Sequence, residues 1–213
     1  MKKGQVGSNY YSFTETLDMN QIPVEWHQLI YIFLYKNNQI NLSSIRDPLW
    51  VYKKHILDSL ELSNIIPLDG LKICDIGTWW WFPLLPLAIK FPNSKLTWVD
   101  SISKKISAIE DMISLLGLYN CTTLCSRVED LKFTDFKPDI FTIRAVAYID
   151  KLLSWTKNIL KKWNKLVLYK LYTLEEHSML ISLLHPYKLE LTYVHHYDLW
   201  DGTDRIIYIL KKY

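Results

Sequence analysis

The stretch from Leu71 to Asp100 reads LKICDIGTWWWFPLLPLAIKFPNSKLTWVD. An apolar run, Leu71 to Ile76, leads into Asp75-Ile76-Gly77-Thr78. A helical apolar run follows, and a second strand-like run ends on Asp100. Strand, turn, helix, strand is the layout of the first βαβ unit of a nucleotide-binding α/β domain. Its strand-to-helix turn normally carries several glycines, so that the backbone can approach a ligand closely. Here Gly77 is the glycine that remains, and Trp79, Trp80 and Trp81 stand in the turn.

The alternation continues along the chain, which predicts a parallel sheet. Strands are expected near 71–76, 95–100, 121–126, 139–143 and 165–170, and helices at 84–91, 103–117, 149–161 and 173–184. The tail has two apolar segments, 188–197 and 205–211, separated by Asp201-Gly202. They read as strands that add an antiparallel edge. Upstream, helices fit 23–37, with Pro23 near the start, and 48–60, with Asp47 as its cap. Residues 38–47 read as a loop, and 1–20 as polar and loosely held. The expected architecture is α/β, with an N-terminal helical extension (1–65) followed by the sheet domain (66–213).

Composition narrows the class. With 213 residues and 49% apolar content, the chain can bury a full core. No apolar run reaches the ~18 residues of a membrane span. MKKGQVGSNYYSF has two lysines but no apolar stretch behind them, so it does not read as a signal peptide. Cys74, Cys121 and Cys125 form no CxxC pair, and an odd count predicts reduced, buried thiols in a cytoplasm. The net charge of +3 alone says little about nucleic acid.

Several residues are candidates for chemistry. Asp75-Ile76-Gly77-Thr78 delivers backbone N–H groups to the carboxyl edge of the sheet, where ligands bind in doubly wound folds. The alternative is an ordinary glycine turn. Asp100 ends the next strand, at a spacing from Gly77 that suits an acid accepting ribose hydroxyls. Its other reading is a cap for helix 103–117. Ser126 to Asp130 follows the third strand and would lie over a bound base. Arg144 ends the fourth strand, either contacting substrate or pairing with Glu129 or Asp100. His55 and Asp58 share a helix face, as a dyad or as a buried polar cluster, and no third ligand makes them a metal site. Lys151, Lys157, Lys161, Lys162, Lys165 and Lys170 form an acid-free run that could follow a phosphate backbone, or a solvated face. Lys104 and Lys105 carry the same two readings. His195-His196 reads as part of a strand.

Taken together the motifs resemble the small-subunit ribosomal RNA methyltransferase G family, also called glucose-inhibited division protein B. The likeness runs from about residue 24 to the C-terminus. It rests on Asn41-Leu42-Ser43 before Arg46-Asp47, and on His55-Ile56-Leu57-Asp58-Ser59-Leu60. Next come Asp75-Ile76-Gly77-Thr78, Phe82-Pro83, Pro86-Leu87-Ala88-Ile89 and Asp100-Ser101. Arg127-Val128-Glu129-Asp130 and Arg144-Ala145-Val146-Ala147 complete the set. The resemblance implies a class I methyltransferase (Rossmann-like) fold and methyl transfer from S-adenosylmethionine to N7 of a guanine in 16S rRNA. The implied cofactor contacts are Gly77, Phe82, Asp100, Ser101, Ile102, Val128, Glu129 and Arg144, and the family's lysine after the next strand corresponds to Lys170. Lys104, Lys105, Lys162, Lys165 and Lys170 are the expected RNA contacts. The resemblance implies the small ribosomal subunit as partner, with no metal and no membrane, and a cytoplasmic monomer is expected. Guanine N7 bears a lone pair and no proton, so positioning and exclusion of water suffice and no general base is expected, with Arg144 the one candidate near the chemistry.

The departures from the family are concentrated. A glycine-rich run is replaced by Trp79-Trp80-Trp81, and a Pro-Gly-Gly type turn by Trp163-Asn164. Leu84 and Leu171 replace frequent glycines. The chain has 6 glycines and 9 tryptophans, against a usual glycine share of about 7%. Two readings are open. Trp79, Trp80, Trp81 and Trp163 are genuine, and cofactor binding is lost or reshaped, with loss leaving an RNA- or ribosome-binding protein on a degenerate methyltransferase fold. Or they are glycines encoded by UGA, a codon that some bacterial lineages read as glycine. Glycine at 79–81 gives G-T-G-G-G-F-P, a methyltransferase-like loop. It still lacks the G-x-G-x-x-G spacing of a dinucleotide-dependent oxidoreductase.

Overall fold

A computed structural model describes residues 17–40, 43–77, 81–131, 137–144 and 147–213. The expectations for residues 1–16, for Asn41-Leu42, for Thr78, Trp79 and Trp80, and for Ala145-Val146 lie outside the described residues. The chain divides into two compact units, Met1–Leu57 and Asp58–Tyr213.

In the first unit a 3-10 turn, Val24–Trp26, leads into α1 (His27–Ile40). Trp26, Leu29, Ile30, Phe33 and Leu34 are all buried, the stripe that a period of 3.6 places on one face. Asn37 prolongs that stripe. Its amide donates to the carbonyl of Ile45 (2.8 Å) and accepts from the backbone N–H of Ser43 (2.7 Å). These bonds let the helix run to Ile40, past the loop start expected at 38. The second helix begins as predicted, with the Asp47 carboxylate accepting from the N–H of Trp50 (2.9 Å). It is not uniform: α2 (Pro48–Val51) passes into a π-helical stretch, Tyr52–Leu57.

The second unit opens with a single turn, α3 (Asp58–Leu60), and a 3-10 turn, Glu61–Asn64. The seven strands are β1 (Lys72–Ile76), β2 (Lys95–Asp100), β3 (Cys121–Cys125), β4 (Ile140–Arg144), β5 (Lys165–Leu171), β6 (Leu189–Asp198) and β7 (Asp204–Lys212). They form one sheet in the order β3-β2-β1-β4-β5-β7-β6. Strands β1 to β5 are mutually parallel, and β7 is antiparallel to both β5 and β6. The mostly parallel α/β sheet with an antiparallel C-terminal edge is thus the architecture expected from the sequence. The turn between β6 and β7 holds Gly202 at φ 76°.

The crossovers are α4 (Leu84–Lys90), α5 (Ser103–Leu116), α6 (Ile149–Thr156) and α7 (Leu174–Leu184). Gly117, at φ 65°, closes α5 in the left-handed conformation that glycine adopts without a Cβ penalty. Thr173 caps α7, its hydroxyl accepting from Glu176 N–H (3.1 Å). Helix α6 stops short of the expected 161. The Thr156 hydroxyl bonds back to Leu152 O (2.8 Å), and the N–H groups of Ile159 and Leu160 both turn to Thr156 O, a competition that ends or bends helices.

Cys74, Phe141, Ile143, Leu166, Leu168 and Tyr208 form one core with Leu152, Leu153 and Leu180 from the helices. Each buried Leu or Phe of this kind contributes roughly 1.5–3 kcal/mol. β4 is buried along its whole length, as expected of a central parallel strand, whereas β3, at the edge, is half exposed. That exposure corrects the expectation of three buried thiols. Cys74 is buried, but Cys121 is intermediate and Cys125 exposed, and all three are free.

Candidate functional site

The chain leaves β1 toward β2 on one side and later returns beside β1 as β4. This reversal is the topological switch point where open α/β sheets bind ligands, outside the carboxyl ends of their strands. A pocket of about 350 Å³ lies there, within the range of small-molecule sites. Its wall comes from three strand ends. β1 supplies Ile76 and Gly77, β2 supplies Val99 to Ile102, and the segment after β3 supplies Ser126 to Glu129; Lys105 and Trp155 complete it. Six of the eight expected contacts therefore meet in one cavity: Gly77, Asp100, Ser101, Ile102, Val128 and Glu129.

Gly77 takes φ 68° and donates its N–H to Val99 O (2.9 Å), tying the exit of β1 to β2. Asp100 is 6% exposed. One carboxylate oxygen accepts from the backbone N–H of Ile102 (2.9 Å), and the other lies 3.3 Å from Lys105 Nζ. Both readings of Asp100 thus have a counterpart: it fixes the turn into α5, and it lines the pocket.

The other two expected contacts, Phe82 and Arg144, are buried and line no part of this cavity. The Arg144 guanidinium carbon is 6.0 Å from the Phe82 ring centroid. Arg144 pairs with Asp58 at 2.7 Å, an acid that the ion-pair alternative for Arg144, Glu129 or Asp100, does not include. Asp58 is fully buried and takes two more donors and a hydroxyl: Arg205 through Nε (3.0 Å) and Nη2 (3.2 Å), and Tyr197 Oη (2.7 Å). Burial pushes its carboxyl up, but the two guanidinium groups and the Tyr197 hydroxyl more than offset that and hold it below the usual range. The same cluster receives Tyr169, whose hydroxyl donates to Ser59 O (3.1 Å). Asp58 is therefore the anchor of a buried cationic cluster and not half of a catalytic dyad.

Asp75 is buried at the end of β1 and accepts from the Thr142 hydroxyl (2.6 Å). Burial pushes its carboxyl up to about 8. Thr142 and Arg144 oppose the shift, and the nearby Asp100 adds to it.

The lysine candidates separate. Lys105 pairs with Asp100. Lys170 is held by Glu176 (2.6 Å) and by Ala147 O (2.8 Å). Lys104 is exposed on the first turn of α5. Lys162 and Lys165 precede or open β5, so they stand at the amino edge of the sheet, away from the pocket. His195 and His196 lie in β6 as expected, with His195 Nε2 3.2 Å from Glu61.

Trp155 was missed by sequence reasoning. The buried stripe of α6 is Ile149, Leu152, Leu153 and Thr156. A large aromatic set off that stripe is the signal that could have found it.

The tryptophans divide too. Trp81 is 1% exposed with φ 76°. An L-residue with a Cβ pays about 1–2 kcal/mol there, and glycine pays almost nothing. Its carbonyl accepts from Leu85 N–H (3.0 Å) at the start of α4. Trp163 is 59% exposed in the turn ahead of β5, with no left-handed backbone.

A family profile described as rRNA small subunit methyltransferase G matches residues 25–196. The chain is 37% identical over 155 residues to the ribosomal RNA small subunit methyltransferase G of Trichormus variabilis, covering 68% of this chain and 63% of the relative. It is 35% identical over 185 residues to the protein of that name from Streptococcus pyogenes serotype M49, covering 83% and 77%. The chain thus spans a little under two thirds of the length of the first relative. Among solved structures, a SAM dependent methyltransferase from Aquifex aeolicus superposes with a TM-score of 0.59 at 16% identity, covering 83% of this chain and 97% of that one. At that identity the likeness establishes the fold, that of the class I methyltransferases.

Proposed function

Because the chain belongs to the rRNA small subunit methyltransferase G family, we propose that it transfers a methyl group from S-adenosylmethionine to N7 of a guanine in 16S ribosomal RNA. In this reading positions 79, 80, 81 and 163 are glycine in the translated protein. The observation that carries the proposal is the meeting of Gly77, Asp100-Ser101-Ile102 and Val128-Glu129 in one cavity at the switch point.

The cavity's chemistry fits the cofactor. The Asp100 carboxylate suits a pair of ribose hydroxyls, and the side chains of Ile102 and Val128 offer apolar surface to a base. Trp155 offers an aromatic face. When bound, S-adenosylmethionine supplies an electrophilic methyl group on a sulfonium that leaves as a neutral thioether. The chain's own residues then need only hold guanine N7 in line and exclude water. Arg144, paired with Asp58, is a positioning residue in this scheme, and the exposed Lys104, next to the pocket-lining Lys105, is its contact to RNA phosphates. The proposal extends to a cytoplasmic monomer acting on the small ribosomal subunit. Among the described residues no helix is long and apolar enough to cross a membrane, and no group of three metal-ligating side chains occurs.

A second reading, an RNA-binding protein that has lost its cofactor, draws on the complete burial of the Trp81 side chain, which a genuine tryptophan would need. Calorimetric titration with S-adenosylmethionine separates the two. The proposal expects tight binding by the protein isolated from its own organism. Absence of binding by that protein, with RNA binding retained, selects the second reading.

A further inference from the structure

The parallel register gathers lysines on one edge of the sheet. Lys72 opens β1 directly beside Lys95, which opens β2. Lys165 opens β5 beside Lys211, near the end of the antiparallel β7. Lys137 stands just ahead of β4. All five lie at the amino edge, opposite the cofactor pocket. Between β1, β2 and β3 this edge hollows into a cavity of about 510 Å³ bordered by Lys72, Lys95, Lys137 and Tyr119. Tyr119 is 84% exposed, and the hydrogen-bonded hydroxyls of Thr97 and Thr122 (2.9 Å) also line the hollow.

None of the five ammonium groups forms an ion pair among the described residues. The acids nearby are engaged elsewhere or set apart. Asp69 accepts from the Asn93 amide (3.1 and 3.2 Å), and Asp139 from the backbone N–H of Lys72 (2.8 Å). Glu190 lies opposite Lys211 in the register without an ion-pair contact. The five lysines outnumber Asp69, Asp139 and Glu190, so among the described residues the edge is net positive around an exposed aromatic ring. Lysines that follow a phosphate backbone, with a ring on which a base can stack, are the composition of a single-stranded nucleic-acid site.

We infer that this amino edge is a second RNA-binding surface, taking the sugar-phosphate backbone of a single-stranded segment with a base against Tyr119. The inference rests on the reading that the partner is ribosomal RNA. Strands of five or six residues rise about 3.3 Å per residue, so the surface lies roughly 17–20 Å from the cofactor pocket. It grips a different part of the RNA from the guanine that is methylated.

The test uses the full chain, with glycine at 79, 80, 81 and 163, titrated with deproteinised 16S rRNA and with intact small subunits at several KCl concentrations. Lys72→Gln/Lys95→Gln/Lys137→Gln is expected to bind at least tenfold more weakly at low salt. Its slope of log affinity against log salt is expected to be shallower by about 2–3, since each phosphate neutralised contributes roughly 0.7–0.9. Lys72→Arg/Lys95→Arg/Lys137→Arg is expected to keep the slope, and Tyr119→Ala to weaken binding without changing it. Unchanged affinity and slope in the glutamine variant overturn the inference. So does a loss seen only with intact small subunits and not with naked rRNA, which assigns the edge to an acidic protein. S-adenosylmethionine affinity, measured in parallel, is expected to be the same in all variants. A failure of the methyltransferase reading appears there and in the absence of product, not in the salt slope.

Discussion

Arg144 Nη2 lies 2.7 Å from Asp58 Oδ2, with both side chains buried, and Arg205 closes on the same carboxylate from β7. Two guanidinium groups and the Tyr197 hydroxyl share one anion at the carboxyl end of β4 and the amino end of β7. Removing that anion leaves the charge of two buried guanidinium groups uncompensated by Asp58. Asp58→Ala is expected to lower unfolding stability by about 3–5 kcal/mol. Because the Asp58 carboxyl is held below its ordinary value, its contribution is complete above about pH 4 and fades as pH falls through the lower folded value. Urea unfolding at pH 7 and pH 3 checks both points, and an equal deficit at the two pH values contradicts the second.

Asp75 behaves in the opposite sense. Its folded carboxyl sits near 8 against an ordinary value of 3.8, so the folded state keeps a proton that the unfolded chain releases. The contribution is fully favourable below the unfolded value and is lost as pH rises through the folded one. Asp75→Asn, which preserves a partner for Thr142, is expected to gain stability relative to the parent between pH 5 and pH 8. A stability difference that stays constant over that range rules the assignment out.

Asp100 presents its carboxylate to the pocket. Asp100→Ala is expected to weaken S-adenosylmethionine binding about tenfold to a hundredfold, the worth of a hydrogen bond to a charged group. Calorimetric titration measures it. Equal affinities for parent and variant remove Asp100 from the cofactor site.

Trp81 has a left-handed backbone, with φ 76°, which glycine satisfies without strain. Mass spectrometry of the peptide spanning residues 73–90, from protein isolated from its own organism, is expected to find glycine at 79, 80 and 81. Tryptophan in that peptide, or UGG codons in the gene, contradicts the account and favours the degenerate RNA-binding protein.

Much of this fold can be read from hydrophobic periodicity. β1, β2 and β5 fall within a residue or so of the predicted spans, because buried strands bounded by turn residues leave a clear local signal. The spacing from Gly77 to Asp100 likewise predicts a shared site, and both line the pocket. The Arg144 to Asp58 pair was not readable, since its partners are 86 residues apart and nothing local distinguishes Asp58 from Glu129 as the anion. The lysines mislead for a related reason. Lys162, Lys165 and Lys170 are close in sequence, but β5 carries Lys165 and Lys170 to opposite edges of the sheet, and only the register shows Lys165 beside Lys211. Asp58, Ser59 and Glu61 precede the expected domain start yet bond to β5, β6 and β7. Those contacts are the physical reason that the compact unit begins at Asp58.

The central claim is methyl transfer to guanine N7. The most direct measurement incubates the protein, with glycine at 79, 80, 81 and 163, with isotopically labelled S-adenosylmethionine and small ribosomal subunits from a strain lacking the gene. Mass spectrometry of the digested rRNA follows. Labelled 7-methylguanosine at a single 16S position, formed only when both protein and cofactor are present, is the expected result. Unlabelled rRNA, or label on any other base or atom, contradicts it.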